Sequence, residues 1–204
     1  MSETRRPGPH PPPPLDLDDR ELPLIESAEV WHRIHKLRHD PLHFGRHASN
    51  RFDAPDRAFG VMYAASDPYG AFVETFGHST GIRIVTLSAL QERGVARLHL
   101  RRSMRLVDLT GRGLARLGAD NRLCDGDYEA SQSWSAALFS HPSAPDGISY
   151  RSRHDPSRIC AAFYERAAES IWAEPTGALA DPDNRLILAD VLDTYRYGLV
   201  DDQQ

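Results

Sequence analysis

Arg33, Arg51, Tyr63, Glu74 and Ser152 are the residues of this chain whose types and order could do chemistry together. Two guanidinium groups can fork onto a pyrophosphate through paired N–H···O bonds. Glu74 is a carboxylate on the same short stretch as Arg51 and Tyr63, on a helix that could converge with the arginines at one end of a sheet. Tyr63 is either a core residue or a ring laid against a planar ligand. Ser152 is either a turn serine or, with Arg151, Arg153 and Arg158 near it, part of a small anion pocket. Each residue alone has a plainer reading, since lone arginines and helix glutamates are mostly solvated surface groups. The case for a shared anionic-ligand site rests on their convergence.

The elements that would position them can be read from pattern. Arg51 stands at the end of a long loop, Arg38 to Arg57, broken by Pro41, Gly45 and Pro55. Loops of that length are often functional. Phe59 to Ser66 is a nearly continuous apolar run and reads as a buried strand carrying Tyr63. Asp67-Pro68 starts a helix, with aspartate as N-cap and proline in the first turn. Ala71, Phe72, Thr75 and Phe76 form its stripe, Glu74 rides on it, and Gly81 ends it. Upstream, Val30 to Lys36 reads as a strand carrying Arg33. Downstream, the strand Gly147 to Tyr150 leads to Ser152 and Arg153.

Other stretches fill out the domain. Strands are expected at Ile82–Leu87, Val95–Leu100, Met104–Leu109, Ile159–Glu165 and Ser170–Ala173. Helices are expected after Ser88, after Thr110, over Asp127–Leu138 and over Asn184–Tyr195. Leu22 to Ser27 is expected to be a short helix or docking arm, and Asp201 to Gln204 to fray. Strands and helices mix without a regular βαβ rhythm, so the fold class is α+β. Residues 1–19, rich in proline, read as a disordered tail, and residues 20–200 as a single domain.

Composition sets limits. The chain has 204 residues and a formal net charge of -5, so bulk attraction to nucleic acid or to an anionic membrane is not expected. Lys36 is the sole lysine among the basic residues, a bias that a GC-rich genome explains. Cys124 and Cys160 are too few for a disulfide framework and fit a reducing cytoplasm as core residues. The start of the chain lacks an apolar signal segment, and no window approaches a membrane span. Gly111-Arg112-Gly113 lacks the Lys-Ser/Thr ending of a phosphate loop. His32, His35, His39, His43 and His47 invite a metal reading, but Pro41 and Gly45 break the helix that would align them; polar loop histidines, with no metal, are the expectation.

Taken together the pieces resemble the RES domain family, named for an arginine, a glutamate and a serine. The resemblance lies in Trp31-His32-Arg33-Ile34, Asn50-Arg51-Phe52-Asp53, Tyr63-Ala64-Ala65, Ala71-Phe72-Val73-Glu74 and Gly147-Ile148-Ser149-Tyr150-Arg151-Ser152. It covers about Val30 to Glu165, and Asn50 stands where the family usually has glycine. It implies an ADP-ribosyltransferase-like fold of mixed and antiparallel sheets with flanking helices. It also implies a toxin that degrades NAD+, as an NAD+ phosphorylase or glycohydrolase. NAD+ would then be substrate, inorganic phosphate a candidate co-substrate, and no cofactor is expected. Catalytic roles fall to Glu74, Arg33 and Ser152, and ligand binding to Arg33, Arg51, Tyr63 and Arg153. The expected partner is an Xre-like helix-turn-helix antitoxin, with a homodimer as the assembly and the cytoplasm as the location. Two other readings stay open: ADP-ribosyl transfer to a macromolecule, and a non-catalytic partner-binding module.

Overall fold

The computed structural model describes residue 8, residues 10–79 and residues 81–203. The apolar run of the sequence becomes β3 (Val61–Ala65), near the middle of an eight-stranded sheet. Its side chains alternate as a strand requires: Val61 and Ala65 enter one core, Met62 and Ala64 another. The other strands of this sheet are β1 (Leu24–Ser27), β2 (Trp31–Lys36), β5 (Arg93–Leu100), β6 (Met104–Asp108), β7 (Gly147–Arg151), β8 (Ile159–Tyr164) and β9 (Ile171–Ala178). Their spatial order is β1-β6-β7-β8-β3-β2-β5-β9. All neighbours run antiparallel except β6 and β7, which are parallel. That parallel step needs a long crossover. The chain supplies it with α3 (Arg112–Leu117), α4 (Arg122–Asp125) and α5 (Tyr128–Ser140).

The second core shows that the sheet curls. Met104 and Leu106 of β6 share it with Leu98 of β5 and Ile171 of β9, strands far apart in the sheet order. The first core lies on the other face, where Trp134 and Leu138 of α5 pack against Val107, Ile148 and Tyr164. A third cluster joins α1 (Pro68–Phe76) to α6 (Arg185–Tyr195) through Phe72, Val191 and Tyr197. A small parallel pair, β4 (Ile84–Thr86) with β10 (Gly198–Val200), stands apart, and α2 (Leu87–Gln91) follows β4.

The α+β class and the mixed sheet with flanking helices agree with expectation. Some local expectations do not. Leu24–Ser27 is a strand on β6, not a helix, because its backbone groups complete the sheet edge. The first helix stops at Phe76, with Gly77 as its C-cap, before Gly81. Asp202 is not frayed: it accepts hydrogen bonds from the backbone N and the hydroxyl of Ser88. Gln204 and residues 1–7 and 9 of the expected tail lie outside the described residues. Within that segment His10 and Leu17 are buried, while Pro11, Pro12, Leu15 and Asp16 are exposed, and a short 3-10 turn covers Leu17–Asp19. No helix among the described residues is long and apolar enough to cross a membrane.

Candidate active site

The site opens where two central strands part. β2 pairs with β5 over six residues and β3 with β8 over five, yet β2 and β3 pair only at His32↔Ala65. Arg33 fills the resulting gap. Its Nη1 donates to the Tyr63 carbonyl at 3.2 Å and its Nη2 to the His43 carbonyl at 3.1 Å. A guanidinium thus takes the place of ladder bonds that the splayed strands do not make. Burial pulls its pKa down to about 10.

The 49–53 loop turns around Asp53, which is fully buried. Its carboxylate accepts from Ser49 N, Asn50 N, Asn50 Nδ2 and the Tyr63 hydroxyl, at 2.9–3.1 Å. The Tyr63 oxygen in turn accepts from Phe52 N at 2.9 Å. Held this way, Arg51 points inward. Its Nη1 donates to the Gly126 carbonyl at 2.8 Å, and its guanidinium lies 4.8 Å from the Tyr128 ring centroid.

α1 brings the carboxylate. Asp67 caps it by accepting from Gly70 N at 2.8 Å, and Gly70 to Val73 are buried. Glu74 and Thr75 face the cavity with His78 just beyond the helix. Ser152 Oγ donates to Glu74 Oε1 at 2.6 Å. The same oxygen accepts from His154 N and Asp155 N, so the hydroxyl belongs to a turn. Burial raises the Glu74 pKa, and Ser152, His78, Arg51 and Arg153 oppose the rise. A carboxyl raised by burial in a cleft and faced by the Arg51 and Arg153 guanidiniums is a functional-site candidate.

Arg33, Arg51, Tyr63, Glu74 and Arg153 all line one cavity of about 160 Å³. Ser152 stands behind Glu74, fully occupied, and does not offer its hydroxyl to a phosphate. Tyr63 presents its ring only, since its hydroxyl serves the loop. Glu74 is half-buried and bonded, not the solvated helix residue its position suggests. Among the described residues, the buried side-chain N and O atoms without a hydrogen-bond partner are Arg33 Nε, Arg51 Nη2 and His154 Nε2. All three belong to residues lining this cavity.

Sequence reading gave no role to Asp53, Tyr128, His78 or His154. Asp53 carried a signal, lying two residues after Arg51 in a loop that needs an internal acceptor. The two histidines are far apart in sequence and carried none. Their rings meet edge-on at 5.2 Å, and burial, His78 and nearby arginines hold His154 neutral, down to about 4. Cys124 also lines the cavity, but burial pushes its thiol up to about 12, so it is no thiolate nucleophile at neutral pH. The histidines of the 39–47 loop stand apart, His39 stacked on His43 at 4.7 Å. No group of three His, Cys, Asp or Glu able to hold a metal occurs among the described residues.

Fold and cavity together define an α+β domain with a cationic cleft built around one carboxylate. The chain belongs to the RES domain family, whose model matches residues 30–187. It is similar to a protein of Sinorhizobium fredii described as probable toxin y4kH, at 28% identity over 123 residues, 60% of this chain and 94% of that protein. In fold it is similar to a chain in the crystal structure of the M. tuberculosis MbcT-MbcA toxin-antitoxin complex. The TM-score there is 0.58 at 16% identity, covering 81% of this chain and 92% of that one.

Proposed function

We propose that this protein consumes NAD+ by splitting the nicotinamide–ribose bond, with phosphate or water as acceptor, and that it is the toxin of a toxin–antitoxin pair. The observation that carries the reading is unpaired polarity facing one carboxylate. A buried donor without a partner costs about 1–3 kcal/mol, and Arg33 Nε and Arg51 Nη2 are two such donors at one cavity. A ligand rich in acceptors, such as a pyrophosphate, offsets that cost. At about 160 Å³ the cavity is below the roughly 300–1,000 Å³ of sites that enclose a drug-sized ligand. It therefore suits one end of a dinucleotide, with the remainder lying outward past Arg153.

In the reaction, the bond between ribose C1 and the nicotinamide nitrogen breaks. Its electron pair leaves with nicotinamide, which departs neutral. The ribose carbon gains oxocarbenium character and bonds to an oxygen of phosphate or water; a water acceptor releases one proton. Ionised Glu74 stabilises that developing charge. Ser152 occupies Oε1, which leaves Oε2 for a sugar hydroxyl. Arg51 and the free N–H of Arg33 hold the anionic part, so the scissile bond is kept in place.

The toxin assignment is supported by family membership, by the description of the Sinorhizobium fredii relative, and by the complex in which the structural neighbour was solved. A helix-turn-helix antitoxin of Xre type is the proposed partner, a homodimer the proposed assembly and the cytoplasm the proposed location. The test is incubation of purified protein with NAD+, with and without phosphate, following nicotinamide and the ADP-ribosyl product. Release of nicotinamide with a free ADP-ribosyl product is expected. A modified macromolecule in place of a free product would move the reading to a transferase, and intact NAD+ with folded protein would overturn it.

A further inference from the structure

The proline-rich N-terminal segment lies outside residues 30–187 matched by the family, and the chemistry above does not use it. Its described part is nonetheless seated on one stretch of chain. His10 is 8% exposed and meets Trp134 edge-on, ring centroids 5.7 Å apart. Trp134 Nε1 donates to the Pro11 carbonyl at 2.9 Å. Asp120 N donates to His10 Nε2 at 3.3 Å, and the Arg122 guanidinium donates to the Gly8 carbonyl. These contacts all fall between Asp120 and Trp134.

That stretch is the wall that holds Arg51. The Gly126 carbonyl takes its Nη1, the Tyr128 ring lies against its guanidinium, and Ser131 Oγ is within 3.4 Å. Leu123, Cys124, Ser131 and Trp134 tie this stretch to the core, but its polar outer side, where Asp120, Arg122 and Trp134 Nε1 meet the arm, depends on contacts from outside. α4 is four residues, one turn, and a lone turn of helix is not self-supporting. Gly118 before it is left-handed at φ +75°, and α5 starts without a side-chain cap bond. Core contacts fix the wall's inner side, and the arm adds polar contacts at both ends of its outer side.

We propose that Gly8, His10 and Pro11 brace the 120–134 wall and through it the Arg51 guanidinium, so that this arm sets affinity for the anionic ligand. The inference rests on the cavity being the NAD+ site proposed above. His10 and Pro11 are positioning residues in this account and touch no substrate.

The test compares the full chain with a variant lacking residues 1–12, with His10→Ala and with His10→Gln, which keeps an acceptor for Asp120 N. The truncated form is expected to raise the KM for NAD+ about tenfold, the scale of one weakened charged hydrogen bond, with kcat within about twofold. Amide exchange should quicken over residues 120–131 and stay unchanged in β3 and β8. His10→Ala should shift both readouts in the same direction, and His10→Gln should restore part of the loss. Unchanged KM and unchanged exchange at 120–131 in the truncated form would overturn the brace. If the full chain leaves NAD+ intact, the functional reading fails, and exchange alone judges the brace: faster at 120–131 supports it, unchanged rejects it.

Discussion

Ser152 and Glu74 share a hydrogen bond of 2.6 Å, with the hydroxyl donating to Oε1. The serine is fixed from behind by the backbone N–H groups of His154 and Asp155, and Asp155 in turn accepts from the Tyr195 hydroxyl and from Arg158. α6 and the 152–158 turn therefore act on the carboxylate through one oxygen. Ser152→Ala should lower kcat by about tenfold to a hundredfold, the worth of a hydrogen bond to a charged group, while KM changes little. Steady-state kinetics beside Glu74→Gln checks this. Equal, complete inactivity of both variants would mean that Ser152 meets the substrate itself.

Glu74→Gln should abolish turnover yet leave the protein as stable or more stable at neutral pH. Burial raises the folded pKa of Glu74 above its unfolded value. The stability that this group contributes is complete below the unfolded pKa and is lost as pH rises through the folded one. Thermal melts should show the variant above the parent at pH 8, with the gap closing near pH 4. The activity of the parent should fall on acidification at a pH above that of a free glutamate, since the ionised form is the working one. A variant less stable than the parent at pH 8 would contradict this.

The two arginines should separate. Arg33 bonds the Tyr63 and His43 carbonyls across the parted strands, so Arg33→Lys should cost roughly 1–3 kcal/mol of stability through groups left unpaired. Arg51 spends one nitrogen on the wall and keeps Nη2 without a partner. Arg51→Lys should chiefly raise the KM for NAD+, because lysine cannot fork onto a pyrophosphate. Denaturant melts and kinetics on the pair decide it; the reverse pattern would refute the assignment.

Tyr63→Phe should act on the loop and not on ligand stacking. The hydroxyl links Asp53 to Phe52 N, so its loss should cost about 1–2 kcal/mol and raise KM by displacing Arg51. Tyr63→Ala removes the ring as well. Kinetics equal for the two variants, once melts are matched, would support the loop role, whereas a large further loss in the alanine form would favour stacking.

Much of the site was legible because its residues lie at local landmarks. The Asp67 cap and the Pro68 start set the phase of α1, and that phase alone turns Glu74 away from the Phe72 face. The apolar run set β3 in the same way. What the chain did not disclose depends on distant pairing. That Arg33 would plug a gap needs the single His32↔Ala65 pairing, which follows from how β5 and β8 pull the two strands apart. That His154 would sit beside His78 needs the bare Cα of Gly77, where an added Cβ would come within 3.0 Å of the imidazole. The arm at His10 looked free because its anchor, Trp134, is over a hundred residues away. The strand at Leu24–Ser27 escaped notice because only its pairing with β6 makes it one.

The central claim is tested most directly by nicotinamide release from NAD+ by the purified parent and by its Glu74→Gln form, each shown to be folded. The account predicts release by the parent, faster with phosphate if phosphate is the acceptor, and none by the variant. Equal release by both, or none by the folded parent at any phosphate concentration, would contradict it.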